Sequence, residues 1–148
     1  MTVLYETNVD DMDPRLWPNV LDRLLEEGAL DAWVTPIIMK KGRPAFTLSV
    51  LCDEAHAETM RTTIFRETTT IGIRELNVDR HVLDRTQSTI ELHGCEIGVK
   101  TALLDGEVVN RSVEWDDVAA TAKANGLSAK EVLAAANALV ADRDGESE

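Results

Sequence analysis

The strongest constraint on the fold is a hairpin pattern over residues 30–52. Leu30 to Met39 alternates between two phases, with Ala32, Val34, Pro36 and Ile38 in one and Trp33, Ile37 and Met39 in the other. The turn Met39-Lys40-Lys41-Gly42-Arg43-Pro44 follows, and Ala45 to Cys52 is again strand-like. Two period-two runs joined by a Gly-containing turn predict an antiparallel pair. Pro36 cannot donate to a ladder, so the first of these strands belongs at a sheet edge.

Helical periods flank the hairpin on both sides. Trp17, Val20, Leu21, Leu24 and Leu25 share one face of a helix capped by Asp13, opened by Pro14 and stopped at Gly28. Pro18 removes one internal hydrogen bond, so this helix either begins near it or is kinked in its first turn. Asp53 is placed to cap a second helix over Glu54–Arg66, with Ala57, Met60 and Ile64 at helical spacing. Arg66 suits the negative end of its dipole. Val3–Thr7 supplies a first strand and Ile71–Val78 a last one, whose phase slip between Ile73 and Leu76 predicts a bulge. The order β-α-β-β-α-β predicts an α+β chain with a ferredoxin-like antiparallel sheet and two helices.

A second part follows. Ser88, Ile90 and Leu92 alternate before His93-Gly94, and Cys95, Ile97, Val99, Thr101 and Leu103 alternate after it, which predicts an extra β-hairpin. Beyond Asp105-Gly106, two C-terminal helices are expected over about Val113–Ala124 and Ala129–Val140, with Ser128 and Glu131 as a capping box for the last. The expected organisation is one domain over 1–141, divided into a ferredoxin-like part (1–80) and a hairpin with helical extension (81–141). An acidic tail covers 142–148.

Charge narrows the function. The formal net charge is -12, and ten of the fifteen Lys and Arg lie in residues 40–111. That balance excludes a general nucleic-acid surface, which needs a broad positive field. A local pocket for one small anion remains compatible. No run approaches the roughly twenty apolar residues of a membrane span, and the first residues lack the basic and apolar regions of a signal peptide. Cys52 and Cys95 read as buried free thiols, so the cytoplasm is the expected compartment. His56, His81 and His93 have no ligand spacing for zinc.

The predicted topology brings three loops together. If the first strand runs upward, Asn8–Pro14, Lys40–Pro44 and Arg66–Arg74 all fall at the upper end of the sheet. Asp10, Asp11 and Asp13 are hard oxygen donors suited to Mg²⁺ or Mn²⁺, held partly through water and substrate phosphates. Lys40, Lys41, Arg43, Arg66 and Arg74 can neutralise phosphate oxygens. Thr68, Thr69 and Thr70 add hydroxyl and backbone donors. Acids for a metal beside cations for phosphates is the arrangement nucleotide chemistry requires. Each residue also has an ordinary role: helix cap, solvated loop, helix-end cation, or a hairpin tip made basic to blunt a sheet edge. The residues alone therefore leave two readings, a nucleotide-using catalytic part or a non-catalytic ferredoxin-like regulatory module that binds a small anionic ligand.

Four phrases add a resemblance: Thr7-Asn8-Val9-Asp10-Asp11-Met12-Asp13-Pro14, Thr35-Pro36-Ile37-Ile38-Met39-Lys40-Lys41-Gly42-Arg43-Pro44, Ile64-Phe65-Arg66-Glu67-Thr68-Thr69-Thr70-Ile71-Gly72-Ile73-Arg74 and Asp105-Gly106-Glu107-Val108-Val109-Asn110. In this order they resemble the C-terminal domain of the LarC family of nickel-pincer nucleotide cofactor biosynthesis proteins. The resemblance covers nearly the whole chain up to the acidic tail. It implies a CTP-dependent nickel insertase (cyclometallase) of the lyase class. Such an enzyme places Ni²⁺ in pyridinium-3,5-bisthiocarboxylic acid mononucleotide, making the nickel-pincer nucleotide cofactor of lactate racemase-type enzymes. The resemblance further implies that CTP goes to CMP and pyrophosphate with Mg²⁺ or Mn²⁺, and associates CTP with the C-terminal domain. It also implies a homo-oligomer and a larger N-terminal LarC-like domain or subunit that handles nickel, for which this chain has few ligands.

Overall fold

The computed structural model describes residues 1–145; of the acidic tail expected over 142–148, residues 146–148 lie outside the described residues. The chain forms two compact units, Met1–Arg80 and His81–Glu148. The expected α+β architecture is the one observed.

In the first unit, β1 (Thr2–Val9), α1 (Trp17–Glu26), β2 (Asp31–Met39), β3 (Arg43–Asp53), α2 (Ala57–Glu67) and β4 (Arg74–Val78) follow in order. The sheet order is β2-β3-β1-β4, with every neighbouring pair antiparallel. β2 is an edge strand, as Pro36 requires. Alternate β1 residues Val3, Tyr5, Thr7 and Val9 are buried, and the core adds Trp17, Val20 and Leu24 of α1 with Met60 and Ile64 of α2. Each such apolar side chain taken from water contributes roughly 1.5–3 kcal/mol before entropy is charged against it.

Of the two alternatives at Pro18, the helix begins near it: a 3-10 turn at Pro14–Leu16 precedes α1, so Pro18 falls in the first turn, where its missing N–H is not needed. Two local expectations are corrected. Asp53 stands at the start of a second 3-10 turn, Glu54–His56, but its side chain makes no capping bond. The last strand begins at Arg74 rather than Ile71 and carries no bulge. Residues 68–73 are irregular because threonine hydroxyls bind the local backbone in place of a ladder partner: Thr68 Oγ1 donates to the Ile64 carbonyl at 2.7 Å, and the Thr70 N–H reaches Thr68 Oγ1 at 3.3 Å.

In the second unit, β5 (Asp84–Leu92), β6 (Cys95–Leu104) and β7 (Glu107–Val113) form an antiparallel meander. α3 (Trp115–Asn125) and α4 (Ala129–Gly145) complete it. The expected hairpin therefore has a third strand. Its signal was Asp105-Gly106, a two-residue turn with φ of 52° and 85°, the left-handed pair that a tight hairpin demands. A register shift between Ala102 and Leu103, with polar Asn110-Arg111-Ser112, hides the alternation of β7. Ser128 and Glu131 make the expected capping box, with three hydrogen bonds of 2.8–3.2 Å. Ala122, Val132 and Ala136 are buried against Ile90, Ile97 and Val99, so the alanine-rich face of α4 packs on its own sheet. Both cysteines are free. Cys52 is buried and its thiol is pushed up by that burial, while Cys95 is partly exposed.

Candidate functional site

The upper end of the first sheet collects the three loops. Strand register fixes two of them: Met39 pairs with Arg43 across the β2–β3 turn, and Val9 pairs with Phe46 beside it. Glu6 pairs with Arg74, which sets the entry of β4 on the other side of β1. Side chains then link loop to loop. Arg43 Nη1 lies 3.3 Å from Asp10 Oδ2, Thr69 Oγ1 donates to Asp11 Oδ1 at 2.5 Å, and Arg74 Nη2 donates to Asn8 Oδ1 at 3.0 Å. Thr70 Oγ1 lies 2.5 Å from Thr7 Oγ1. All four contacts join residues far apart in sequence.

The remaining candidates are placed differently. Lys40 and Lys41 form the exposed tip of the β2–β3 turn, and Arg66 lies in the last turn of α2. None of the three has an ion pair among the described residues. Lys41 has φ 64° and ψ 18°, a left-handed conformation that costs a non-glycine residue on the order of 1 kcal/mol. That conformation continues into Gly42 at φ 71° and turns the chain within three residues. Asp13 caps the first 3-10 turn and also binds Arg15, whose Nη2 is 2.6 Å from Asp13 Oδ2. The Arg15 side chain and backbone N–H hold the Asp13 carboxyl below its ordinary range.

Sequence reasoning passed over Asn8, Glu6 and Thr7. Asn8 Oδ1 accepts from both Arg74 and Thr47 Oγ1, the latter at 2.9 Å, and Glu6 lies 3.7 Å from Arg74. The strand alternation that buries Thr7 was readable, but its partners across sixty residues were not. A hollow of about 350 Å³ adjoins Asp10, walled by Val9, Met12, Ile37, Ile38 and Phe46. Trp17 supports that wall from below, edge-on to Phe46 at 5.8 Å.

The donor set suits a multiply charged anion more than a caged metal. Among the described residues, no group of three or more His, Cys, Asp or Glu converges in a way that could hold a metal ion. Mg²⁺ needs only one or two carboxylates when substrate phosphates complete its shell. Asp10 and Asp11, adjacent on one loop, fit that sparse requirement. Asp13 would enter only by giving up Arg15.

The nickel insertion protein family matches residues 1–133. The chain belongs to that family. It is 52% identical over 134 residues to a pyridinium-3,5-bisthiocarboxylic acid mononucleotide nickel insertion protein of Nocardioides sp. strain JS614, covering 90% of this chain and 34% of that protein. A protein of the same description from Thermotoga sp. strain RQ2 is 43% identical over 133 residues, covering 90% of this chain and 33% of its own length. The chain thus spans about a third of the length of these curated relatives. Among solved structures, it matches LarC2, the C-terminal domain of a cyclometallase involved in synthesis of the NPN cofactor of lactate racemase, in its apo form. The TM-score is 0.84 at 30% identity, covering 95% of this chain and 96% of that one.

Proposed function

We propose that this chain is the CTP-binding part of a CTP-dependent nickel insertase, with the nucleotide's phosphates held at the three-loop end of the first unit. The observation that carries this reading is the loop-to-loop linkage: Asp10 with Arg43, Asp11 with Thr69 and Asn8 with Arg74 bring acids and cations from separate elements to one end of the sheet. Family membership supports the nickel-insertion part of this reading, with Ni²⁺ entering pyridinium-3,5-bisthiocarboxylic acid mononucleotide; the conversion of CTP to CMP and pyrophosphate is part of the proposal itself.

Each residue then has a task. Lys40 and Lys41, unpaired at an exposed turn, approach phosphate oxygens without first breaking an ion pair. Arg43, Arg66 and Arg74 add planar donors for phosphate oxygens, and Thr68, Thr69 and Thr70 add hydroxyl or backbone donors. Asp10 and Asp11 would hold Mg²⁺ or Mn²⁺, which neutralises phosphate charge when bound, and Asp13 is the third candidate for that role. Full activity would draw on the remaining two-thirds of the relatives' length, as an N-terminal domain or a separate subunit, and on a homo-oligomeric assembly in the cytoplasm.

Turnover tests the reading. The chain, CTP, Mn²⁺, Ni²⁺ and the pyridinium mononucleotide are combined with the N-terminal part of a relative, and CMP is quantified. CMP release that depends on this chain is expected. Binding of the nucleotide without any CMP, even with the N-terminal part present, would instead favour a regulatory anion-binding module.

A further inference from the structure

The three-loop end rests on a buried hydroxyl. Thr7 stands on β1 between the core residues Tyr5 and Val9 and is only 2% exposed. Valine has the same outline without the hydroxyl, and burying a hydroxyl costs free energy unless it is hydrogen-bonded. Here it is bonded twice. Thr7 Oγ1 lies 2.5 Å from Thr70 Oγ1 and 2.8 Å from the Gly72 carbonyl oxygen. Thr70 Oγ1 reaches the same carbonyl at 2.9 Å, closing a triangle of three oxygens. Each hydroxyl has one proton to donate, so two of the three edges are hydrogen bonds at one time; with Thr70 donating to Thr7 and Thr7 to the Gly72 carbonyl, the buried hydroxyl is satisfied and tied to the loop at two points.

That triangle sits under a loop otherwise held by Ile73 against the core and by Thr68, whose hydroxyl bonds the Ile64 carbonyl at the end of α2. Residues 68–73 belong to no helix or strand. The other links reaching across to the β1 end, Thr69 to Asp11 and Arg74 to Asn8, are exposed, where water competes for them. The Thr7 contact comes from the core side.

We propose that Thr7 is a positioning residue for the three-loop site: through Thr70 and Gly72 it fixes where Thr69 and Arg74 stand for a phosphate-bearing ligand. The ligand side of this proposal rests on the nucleotide reading above; the anchoring side does not.

Calorimetry with Mn²⁺ and CTP on the full chain, together with amide hydrogen exchange on the ligand-free chain, tests both sides. Thr7→Val is expected to weaken binding about three- to tenfold, the worth of one net hydrogen bond, and Thr7→Ser to restore it. Thr63→Val is the control: Thr63 is another buried hydroxyl of the same unit, bonded to Glu27 away from the loops. It is expected to lower the melting temperature and leave the dissociation constant unchanged. Unchanged binding in Thr7→Val, or an equal weakening in Thr63→Val, would overturn the positioning role. Wild-type chain that binds no nucleotide would overturn the nucleotide reading, and exchange then decides the anchor by itself. The Thr70 and Gly72 amides, which face the Thr68 and Thr70 hydroxyls at 3.3 and 3.4 Å, are expected to exchange about tenfold faster in Thr7→Val. Thr70→Val deletes the Gly72 amide's own acceptor, so Thr7→Val decides: unchanged exchange of the Thr70 and Gly72 amides in that variant would overturn the anchor.

Discussion

The two units spend their polar side chains differently. In the first, polar contacts join loops: Arg43 with Asp10, Thr69 with Asp11, Arg74 with Asn8, and Thr7 with Thr70. In the second, they mostly satisfy backbone. Asp117 accepts from the Gly98 N–H at 2.8 Å, Asn125 donates to the Thr121 carbonyl at 3.0 Å, and Ser128 and Glu131 cap α4. Ion pairs do not divide the units in this way: Lys100 of the second unit is held by Glu114 at 2.5 Å, and in the first unit Arg43 and Arg74 are paired with Asp10 and Glu6 while Lys40, Lys41 and Arg66 have no ion pair among the described residues. Polar groups that complete secondary structure stabilise a scaffold. Polar groups that tie separate loops together fix where those loops stand.

Substitutions that separate scaffold from site sharpen this contrast. The largest stability effect is expected at Gly98→Ala. A Cβ there would stand 2.8 Å from Glu114 Cγ and 3.1 Å from Asp117 Oδ2, where the start of α3 covers the edge of β6. A loss of about 1–3 kcal/mol is expected, read by denaturant titration, with nucleotide affinity unchanged. A shift in affinity would mean that the scaffold unit also serves the site.

Next is Lys41→Gly. Removing the left-handed lysine should add about 1 kcal/mol of stability while weakening nucleotide binding several-fold, so melting temperature and dissociation constant rise together. A variant that is more stable and binds equally well would relieve Lys41 of any ligand role. Ser128→Ala should cost about 1 kcal/mol through the lost cap and leave binding untouched.

The smallest effect is expected at Tyr5→Phe. Tyr5 Oη is buried with no hydrogen-bond partner among the described residues, and burial followed by the Glu75 carboxylate push its pKa up from 10.0 to about 12. The folded state thus favours the neutral phenol. Its contribution is full below pH 10 and lost as pH climbs through about 12, because the unfolded chain ionises first. Tyr5→Phe is expected to be neutral or slightly stabilising at pH 7 and to flatten the alkaline decline. An equally steep decline in the variant would assign it to other groups.

Much of this was legible in residue order. Pro36 named an edge strand, the periods of residues 3–78 gave the order of strands and helices along the chain, and topology alone gathered the three loops at one end. What escaped had physical causes. β7 was hidden by a register shift and by polar residues on both its faces, although Asp105-Gly106 announced its turn. The start of β4 was misplaced because threonine hydroxyls compete with a ladder in ways periodicity does not register. The commitment of Asp13 to Arg15, two residues away, was within reach of a capping argument. Thr7 read only as the end of the first strand, since its partners lie in a loop no local pattern describes.

The claim that the first unit's loops form an anion site is tested most directly by titrating the chain with CTP in the presence of Mn²⁺, wild type against Lys40→Ala/Lys41→Ala. Both lysines are exposed and free of ion pairs, so the double variant should keep its melting temperature. Saturable binding by the wild type, weakened at least tenfold in the variant, is the expected result. No binding by the wild type, or the same affinity in both, would contradict it.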